Sequence, residues 1–246
     1  MRVIGCLNSF RQPDFHTYHK TLPLPPKTTI AGMIGSALGI SPKEVNDEWL
    51  KKDRFRMGIV GKANGKANDL WQIRKYESKQ IAAYKKGTEI TPYKTAVIVR
   101  ELLYACEYYI YLQFSQDADY AFILEKLQNP AWALSLGRED ELIKIVSIQI
   151  VELEEKEGVF FRNTCIAFNT NENRYQIDLK SSSVSNLLAE APKSIKLPIA
   201  FSHRKDSEVR EAEAFQDFTF VSDLAIKPES SKGYFDEEWN HAFQVF

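Results

Sequence analysis

Two adjacent prolines, Pro25 and Pro26, stand just before a run of small and apolar residues, Ile30-Ala31-Gly32-Met33-Ile34-Gly35-Ser36-Ala37-Leu38-Gly39. A proline pair cannot continue a helix from upstream, because each ring removes a backbone donor, but it can lead into one. Thr28 or Thr29 is then placed to act as N-cap, and Gly39 suits a left-handed C-cap. Each interior glycine costs a helix about 1 kcal/mol relative to alanine, so Gly32 and Gly35 predict a helix whose backbone presses closely on a sheet. Lys27 sits at the positive end of that helix, where backbone N–H groups and the dipole favour a phosphate. Lys27 and Thr28 are therefore the first candidate binding residues. The segment is not an ATP-binding loop, since its glycine–lysine spacing is wrong. Gly61 to Lys66 fails too, with three residues between its glycines and Ala67 in place of Ser or Thr.

At 246 residues the chain can form one large domain or two small ones. Arg2 to Leu7 reads as a buried first strand, and residues 11–27 as a proline-bearing loop. Ser41-Pro42-Lys43-Glu44 opens a second helix with Trp49-Leu50 on its buried face. Arg54 to Val60 alternates as a half-buried strand does. Residues 61–95 read as a long insertion: a flexible basic loop, a short strand at Trp71 to Tyr76 and a turn at Tyr84 to Gly87. Thr95 to Tyr104 and Glu107 to Phe114 look like two adjacent strands around Ala105-Cys106. Asp117 to Leu127 is an amphipathic helix ended by Asn129-Pro130, and Ile143 to Leu153 supplies a further strand. This order is the βαββαβ pattern of a ferredoxin-like α+β fold, also used by RNA-recognition modules. The expected division is residues 1–154 as that domain and 155–246 as a smaller β-rich part. Its β signals are Val159 to Phe161, Arg174 to Leu179, Leu197 to Phe201 and Phe215 to Val221.

Net charge is −1, yet its distribution is uneven. Residues 51–100 hold thirteen Lys+Arg against four Asp+Glu, whereas 201–246 hold five against ten. A basic face for a polyanion is the functional reading of that asymmetry, and a solvated surface the structural one. In the insertion, Lys62, Lys66, Arg74, Lys75, Lys85 and Lys86 are interleaved with Trp71, Tyr76 and Tyr84, so cations for phosphates coincide with faces for bases. An ordinary hairpin packing its aromatics on the body is the alternative. Tyr109 and Tyr111 share one face of a strand, where they could stack on bases or be covered by another part of the chain. The histidines are His16, His19, His203 and His241. Tyr18, His19 and Lys20 offer the residue types of metal-free RNA cleavage, although loop histidines are more commonly surface residues. Cys6, Cys106 and Cys165 are scattered and lack metal-site spacing. Nothing in the pattern calls for a cofactor or a metal. No signal sequence or bilayer-length apolar run is evident, so the expected setting is cytoplasmic, without a membrane partner.

The stretch Leu22 to Gly39 closely resembles the N-terminal signature of the Cas-five family of CRISPR-associated RAMP proteins. Arg2 to Arg11 is similar to the family's first strand and its exit. Val97 to Leu112, with Arg100 ahead of an alternating run, is similar to its later strand pair. Leu134-Ser135-Leu136-Gly137-Arg138-Glu139-Asp140 is similar to its short turn. The glycine-rich C-terminal loop of many RAMP proteins is absent. The resemblance, most like type I-B members, implies a subunit of the Cascade surveillance complex that caps the CRISPR RNA (crRNA) 5′ handle. It implies contacts with a backbone RAMP subunit, with the large subunit and with target DNA near the protospacer-adjacent motif. Residues 61–95 match the family's thumb in position and character, and Arg11, Lys27 and Arg138 match handle-side positions. One family branch cleaves precursor RNA with a Tyr, a Lys and a His, for which Tyr18, His19 and Lys20 are the residues available. The expected function is RNA binding without catalysis; the alternatives are a metal-independent endoribonuclease that processes precursor crRNA and a protein–protein adaptor without RNA contact that uses the acidic C-terminal part.

Overall fold

The chain is known from a computed structural model that describes all residues except 16–17, 179–189, 204–209 and 231. It begins with β1 (Arg2–Asn8) and, after a looped segment, the two-residue β2 (Tyr18–His19). Helix α1 (Lys27–Leu38) follows the proline pair, and α2 (Pro42–Val45) runs directly into a π-helical turn at Asn46–Leu50. Two strands of 21 residues, β3 (Phe55–Lys75) and β4 (Lys94–Phe114), then form one antiparallel hairpin with the short α3 (Ser78–Tyr84) at its tip. At about 3.3 Å per residue each arm measures roughly 70 Å. Helix α4 (Asp117–Gln128) and β5 (Ile143–Ser147) complete the N-terminal part. The remainder is built from β6 (Glu155–Glu157), β7 (Thr164–Ile166), β8 (Tyr175–Ile177), β9 (Lys193–His203), β10 (Arg210–Val221), β11 (Ile226–Pro228), β12 (Lys232–Asp236) and β13 (His241–Phe243). The protein is thus mixed α/β, with strand the dominant element.

The main sheet runs β5-β1-β4-β3-β7-β10-β9, every pair antiparallel, with β2 joined in parallel to β4. The C-terminal strands therefore prolong the sheet of the N-terminal part. Cys165, Leu197, Phe218 and Phe220 share its core. On one sheet face, Phe55, Met57, Ile59, Tyr108 and Ile110 pack with Ile30 and Ile34 of α1 and Ile123 and Leu127 of α4. An ion pair ties the helix layer to β3: the Arg54 guanidinium donates Nε to Asp119 Oδ2 (2.8 Å) and Nη2 to Oδ1 (2.6 Å), while lying 4.3 Å over Trp49.

The other face is closed by β6, β12 and β13. Tyr111 stacks on Phe243 at 3.7 Å, and Tyr109 meets His241 at 4.3 Å and Trp239 at 5.0 Å. Gly58 lies opposite Tyr111 in register, and a Cβ there would sit 2.3 Å from the Phe243 ring. Glycine at this point is what lets the aromatic layer settle on the sheet. The tyrosine face is thus covered by the chain's own C-terminal region.

Several local expectations are corrected. Gly61 to Asn68 is not a flexible loop, and the expected strand from Trp71 to Tyr76 is not a separate one; Gly61 to Asn68 and Trp71 to Lys75 belong to the unbroken β3, and Tyr76 lies just past its end. Ala105-Cys106 does not separate two strands, because β4 passes through it with Ala105 at φ 49°. Strand pairing on both flanks, with β1 and β3, holds the ladder across this local kink. The N-cap of α1 is Pro26, without a side-chain cap, rather than Thr28 or Thr29. Of its glycines, Gly35 packs against Val45 of α2 instead of a sheet, and Gly32 faces open space. The last strand of the N-terminal part ends at Ser147, short of Leu153. Of the Arg174 to Leu179 signal, Leu179 lies outside the described residues, as do His16 and Thr17. No described helix is long and apolar enough to cross a membrane.

Candidate nucleic-acid interface

Where β1 ends, β2 takes over the same edge of β4, with Tyr18 opposite Val99 and His19 opposite Arg100. The intervening loop is held by its own backbone: Arg11 bridges Thr21, Gln12 N–H donates to Lys20 O (2.9 Å) and Leu22 N–H to Phe10 O (2.7 Å). Thr21 N–H donates to the buried Glu101 carboxylate (3.0 Å), which also pairs with Lys66 at 3.7 Å. These bonds hold the segment around Lys20 to Leu22, next to His19, against β4.

A third element arrives from the turn at residues 136–141. Its organiser is Glu141, 5 % exposed, which accepts from Ser9 N–H (2.7 Å) and Arg138 N–H (3.0 Å). Gly137 adopts φ 112°, and a Cβ there would strike Glu141 and the Ser9 carbonyl. The turn aims Arg138 at the hairpin. Its Nη2 donates to His19 Nδ1 at 3.3 Å, which assigns the ring proton of neutral His19 to Nε2.

These parts converge on Trp71. The guanidinium carbons of Arg100 and Arg138 each lie 4.9 Å from the Trp71 ring centroid. Arg100 is also hydrogen-bonded to Asp69, its direct partner across the hairpin. Strand alternation explains the grouping: Asp69 and Trp71 share a face with Arg100, while Lys66, Asn68 and Glu101 share the other. Two guanidinium planes on one half-exposed indole form a surface suited to a phosphate backbone and to stacking bases.

The structure brings together His19, Trp71 and Arg138, with Lys66 and Tyr18 on the reverse face; the Tyr18 hydroxyl reaches Asn68 at 3.4 Å. Lys62, Arg74, Lys75, Lys85 and Lys86 are all exposed along the hairpin and its tip. Leu70, Tyr84, Tyr93 and Val97 are exposed beside them. Arg11 is exposed and donates to Phe15 O at 3.3 Å, and Lys20 lies 5.7 Å over the Phe15 ring. Lys27 is committed elsewhere: its side chain is 10 % exposed, pairs with Asp53 at 2.8 Å and covers Phe55 at 5.4 Å. Thr28 is half-buried within α1. The mouth of α1 is thus filled by an internal ion pair instead of an open anion site.

Sequence reasoning missed Asp69, Arg100 and Glu141 as members of this arrangement. Only the register of the hairpin could have joined the first two to Trp71. Among the described residues there is no group of three or more His, Cys, Asp or Glu able to hold a metal ion. The cysteines are free, Cys106 and Cys165 buried and Cys6 exposed. Away from the cluster, burial would raise Glu107, but Arg2 (2.7 Å) and Tyr109 (2.9 Å) hold it below the usual carboxylate range.

Fold and surface together define a strand-dominated α/β protein that extends a long basic hairpin from its sheet. The family model described as CRISPR-associated protein (Cas_Cas5) matches residues 1–174, and the chain belongs to that family. No curated protein sequence matches it. Among solved structures it is similar to a CRISPR RNA-guided surveillance complex chain (16% identity, TM-score 0.48, covering 93% of this chain and 90% of that one). It is similar also to a CRISPR protein from Archaeoglobus fulgidus (12%, TM-score 0.49, 99% and 98%). A third is a chain of the Type III-B Cmr-beta complex bound to cognate target RNA and AMPPnP (14%, TM-score 0.45, 92% and 86%).

Proposed function

We propose that this protein is the crRNA-binding subunit of a type I Cascade complex, capping the 5′ handle. In this reading the sheet β5-β1-β4-β3 with α1 and α4 is a ferredoxin-like RAMP core. Residues 61–95, the outer arms and tip of the hairpin, act as its thumb beside the backbone RAMP subunit. The large subunit and target DNA near the protospacer-adjacent motif are further partners. The observation that carries the reading is the Trp71–Arg100–Arg138–His19 cluster toward the outer end of the arms of a hairpin whose exposed cations are Lys62, Lys66, Arg74, Lys75, Lys85 and Lys86. Such a surface holds single-stranded RNA through its phosphates and unstacked bases.

The subunit binds without cleaving. Tyr18 and His19 are consecutive strand residues, so their side chains leave opposite faces, and His19 is 8 % exposed with Nδ1 held by Arg138. Three neighbouring residues arranged this way do not converge on one phosphate. Incubating the purified protein with repeat RNA in EDTA tests this; cleavage that disappears in His19→Ala would establish an endoribonuclease instead.

The binding reading is tested by neutralising Lys62, Lys66, Arg74 and Lys75 to Gln and measuring assembly on guide RNA across salt concentrations. The slope of log K against log salt should fall by about 0.7 per lost phosphate contact. An unchanged slope rejects the hairpin as the RNA-facing element.

A further inference from the structure

Beyond β5 the chain runs from Ile148 to Glu154 without regular structure. This run forms one wall of a groove of about 170 Å³ that faces α4 and the inner end of β4. Leu112, Phe114, Ile123 and Leu127 line it from the body, and Val151 and Leu153 line it from the wall. An apolar space of ~150 Å³ is enough for one benzene ring, so the groove accepts a single ring-sized side chain. Ile150 and Val151 are 56 % and 44 % exposed, so apolar surface continues past the mouth.

The wall is also an open edge. Strand β5 ends the main sheet and β6 ends the three-stranded sheet β13-β12-β6, and the run between them joins one unpaired edge to the next. Among the described residues, no backbone group from Gln149 to Glu154 is hydrogen-bonded. A row of free N–H and C=O groups is what an added strand pairs with.

Charge selects what can lie there. Val151 and Leu153 line the groove, whereas the alternating Glu152 and Glu154 do not. Residues 152–157 hold four Glu against one Lys. Glu155 and Glu157 approach Lys232 (3.9 and 3.5 Å) and Lys156 approaches Glu237 (3.9 Å), but Glu152 and Glu154 have no cation partner among the described residues. A polyanion is repelled by this rim, and a strand with a cation at every second position is attracted.

We propose that the groove and its edge dock an extended basic segment of a partner protein, in which Lys or Arg alternates with apolar residues and one aromatic ring enters the groove. Backbone pairing along Gln149 to Glu154 supplies affinity, the ring fixes the register, and Glu152 with Glu154 select cations. The site stands apart from the RNA reading, because it lies at the end of β4 away from the hairpin tip.

The probe is the fluorescein-labelled heptapeptide Lys-Val-Lys-Phe-Lys-Val-Lys, titrated into the full chain and followed by fluorescence anisotropy. Saturable binding with a Kd on the order of 100 μM is expected, and exchanging the peptide's Phe for Ala, or its Lys for Glu, should weaken it at least about tenfold. Glu152→Lys with Glu154→Lys should also weaken it about tenfold or more, and raising salt from ~50 to ~500 mM should weaken it about fivefold. Both glutamates are exposed, and thermal melts check that the variant folds. A benzophenone at the Phe position should crosslink to α4 or to residues 148–154. Crosslinks elsewhere, no saturation by about 1 mM, or a charge-reversed variant that binds like the parent each overturn the proposal. An RNA octamer that competes as well as unlabelled peptide assigns the groove to nucleic acid and overturns it too. Sedimentation equilibrium of the chain alone tests a second copy as occupant: self-association abolished by Glu152→Lys with Glu154→Lys would overturn the partner reading. Arg74→Gln with Lys75→Gln, which weakens the hairpin, should leave peptide binding unchanged, so this proposal and the RNA reading fail separately.

Discussion

At the scale of single residues, three glycines with the same sequence signature have three different environments. Gly39 takes the left-handed cap conformation, φ 71°, and donates to Gly35 O. A Cβ on Gly35 would lie 2.3 Å from Val45 Cγ2, whereas one on Gly32 would meet nothing within 4 Å. Gly32→Ala should therefore stabilise the isolated protein by about 0.5–1 kcal/mol. Gly35→Ala should destabilise it by about 1–3 kcal/mol through overpacking. Urea denaturation of both variants checks the pair, and equal effects would contradict the packing. Asp119 is the other residue with a large expected effect. It is 3 % exposed and accepts two hydrogen bonds from Arg54, whose pKa those bonds raise. Asp119→Ala leaves a half-buried guanidinium without its counter-ion and should cost about 3 kcal/mol in the same measurement.

Among the elements, the long hairpin departs most from the sequence pattern. Its inner part, Phe55 to Val60 against Tyr109 to Phe114, alternates clearly because one face meets the helices and the other the aromatic layer. Beyond Gly61 the arms have much less core to meet, and the polar composition there reads as a loop. Backbone pairing continues regardless, since hydrogen bonds between arms do not depend on which side chains project. Helix α3 at the tip buries none of its residues and relies on a Glu77–Gln80 capping box. Replacing residues 76–93 with a two-residue Asn-Gly turn should therefore shift the melting temperature by only about 3 °C or less, since surface changes rarely exceed about 0.5 kcal/mol. A larger loss would mean that the tip packs on the body. The candidate interface follows the same division. Its cations and Trp71 were legible as composition, but the Asp69–Arg100 partnership depends on register. The approach of Arg138 depends on a turn held by Glu141 from a distant part of the chain.

For the whole molecule, pH acts on stability through two half-buried bases. The Met1 ammonium donates to Ile110 O at 2.8 Å, yet burial lowers its pKa from 8.0 to about 6, with Asp236 opposing. His241 is lowered by burial as well. For the Met1 ammonium the unfolded chain binds more protons than the native one between about pH 6 and 8, so stability rises with pH there. His241, lowered from 6.5, adds to the loss only below that value. The contribution is complete above pH 8 and is lost as pH falls through 6. The amine alone should account for on the order of 2 kcal/mol between those limits. Urea midpoints at pH 6 and pH 8 measure it, and a higher midpoint at pH 6 would contradict the burial of the Met1 ammonium.

The sequence by itself determined what local chemistry can specify. The proline pair started α1, Ser41 with Glu44 capped α2, Asn129-Pro130 followed the end of α4, and the spacing of apolar residues marked the core strands. It also determined the excess of cations between residues 51 and 100. Only the tertiary structure decided that β4 is one strand, that Tyr109 and Tyr111 are covered, that Lys27 belongs to Asp53 and that Trp71 lies beside two arginines. The physical reason is separation along the chain. Caps and periodicity act over a few residues, whereas those pairings join groups up to 132 positions apart, such as Tyr111 and Phe243, and are set by sheet register and long-range packing.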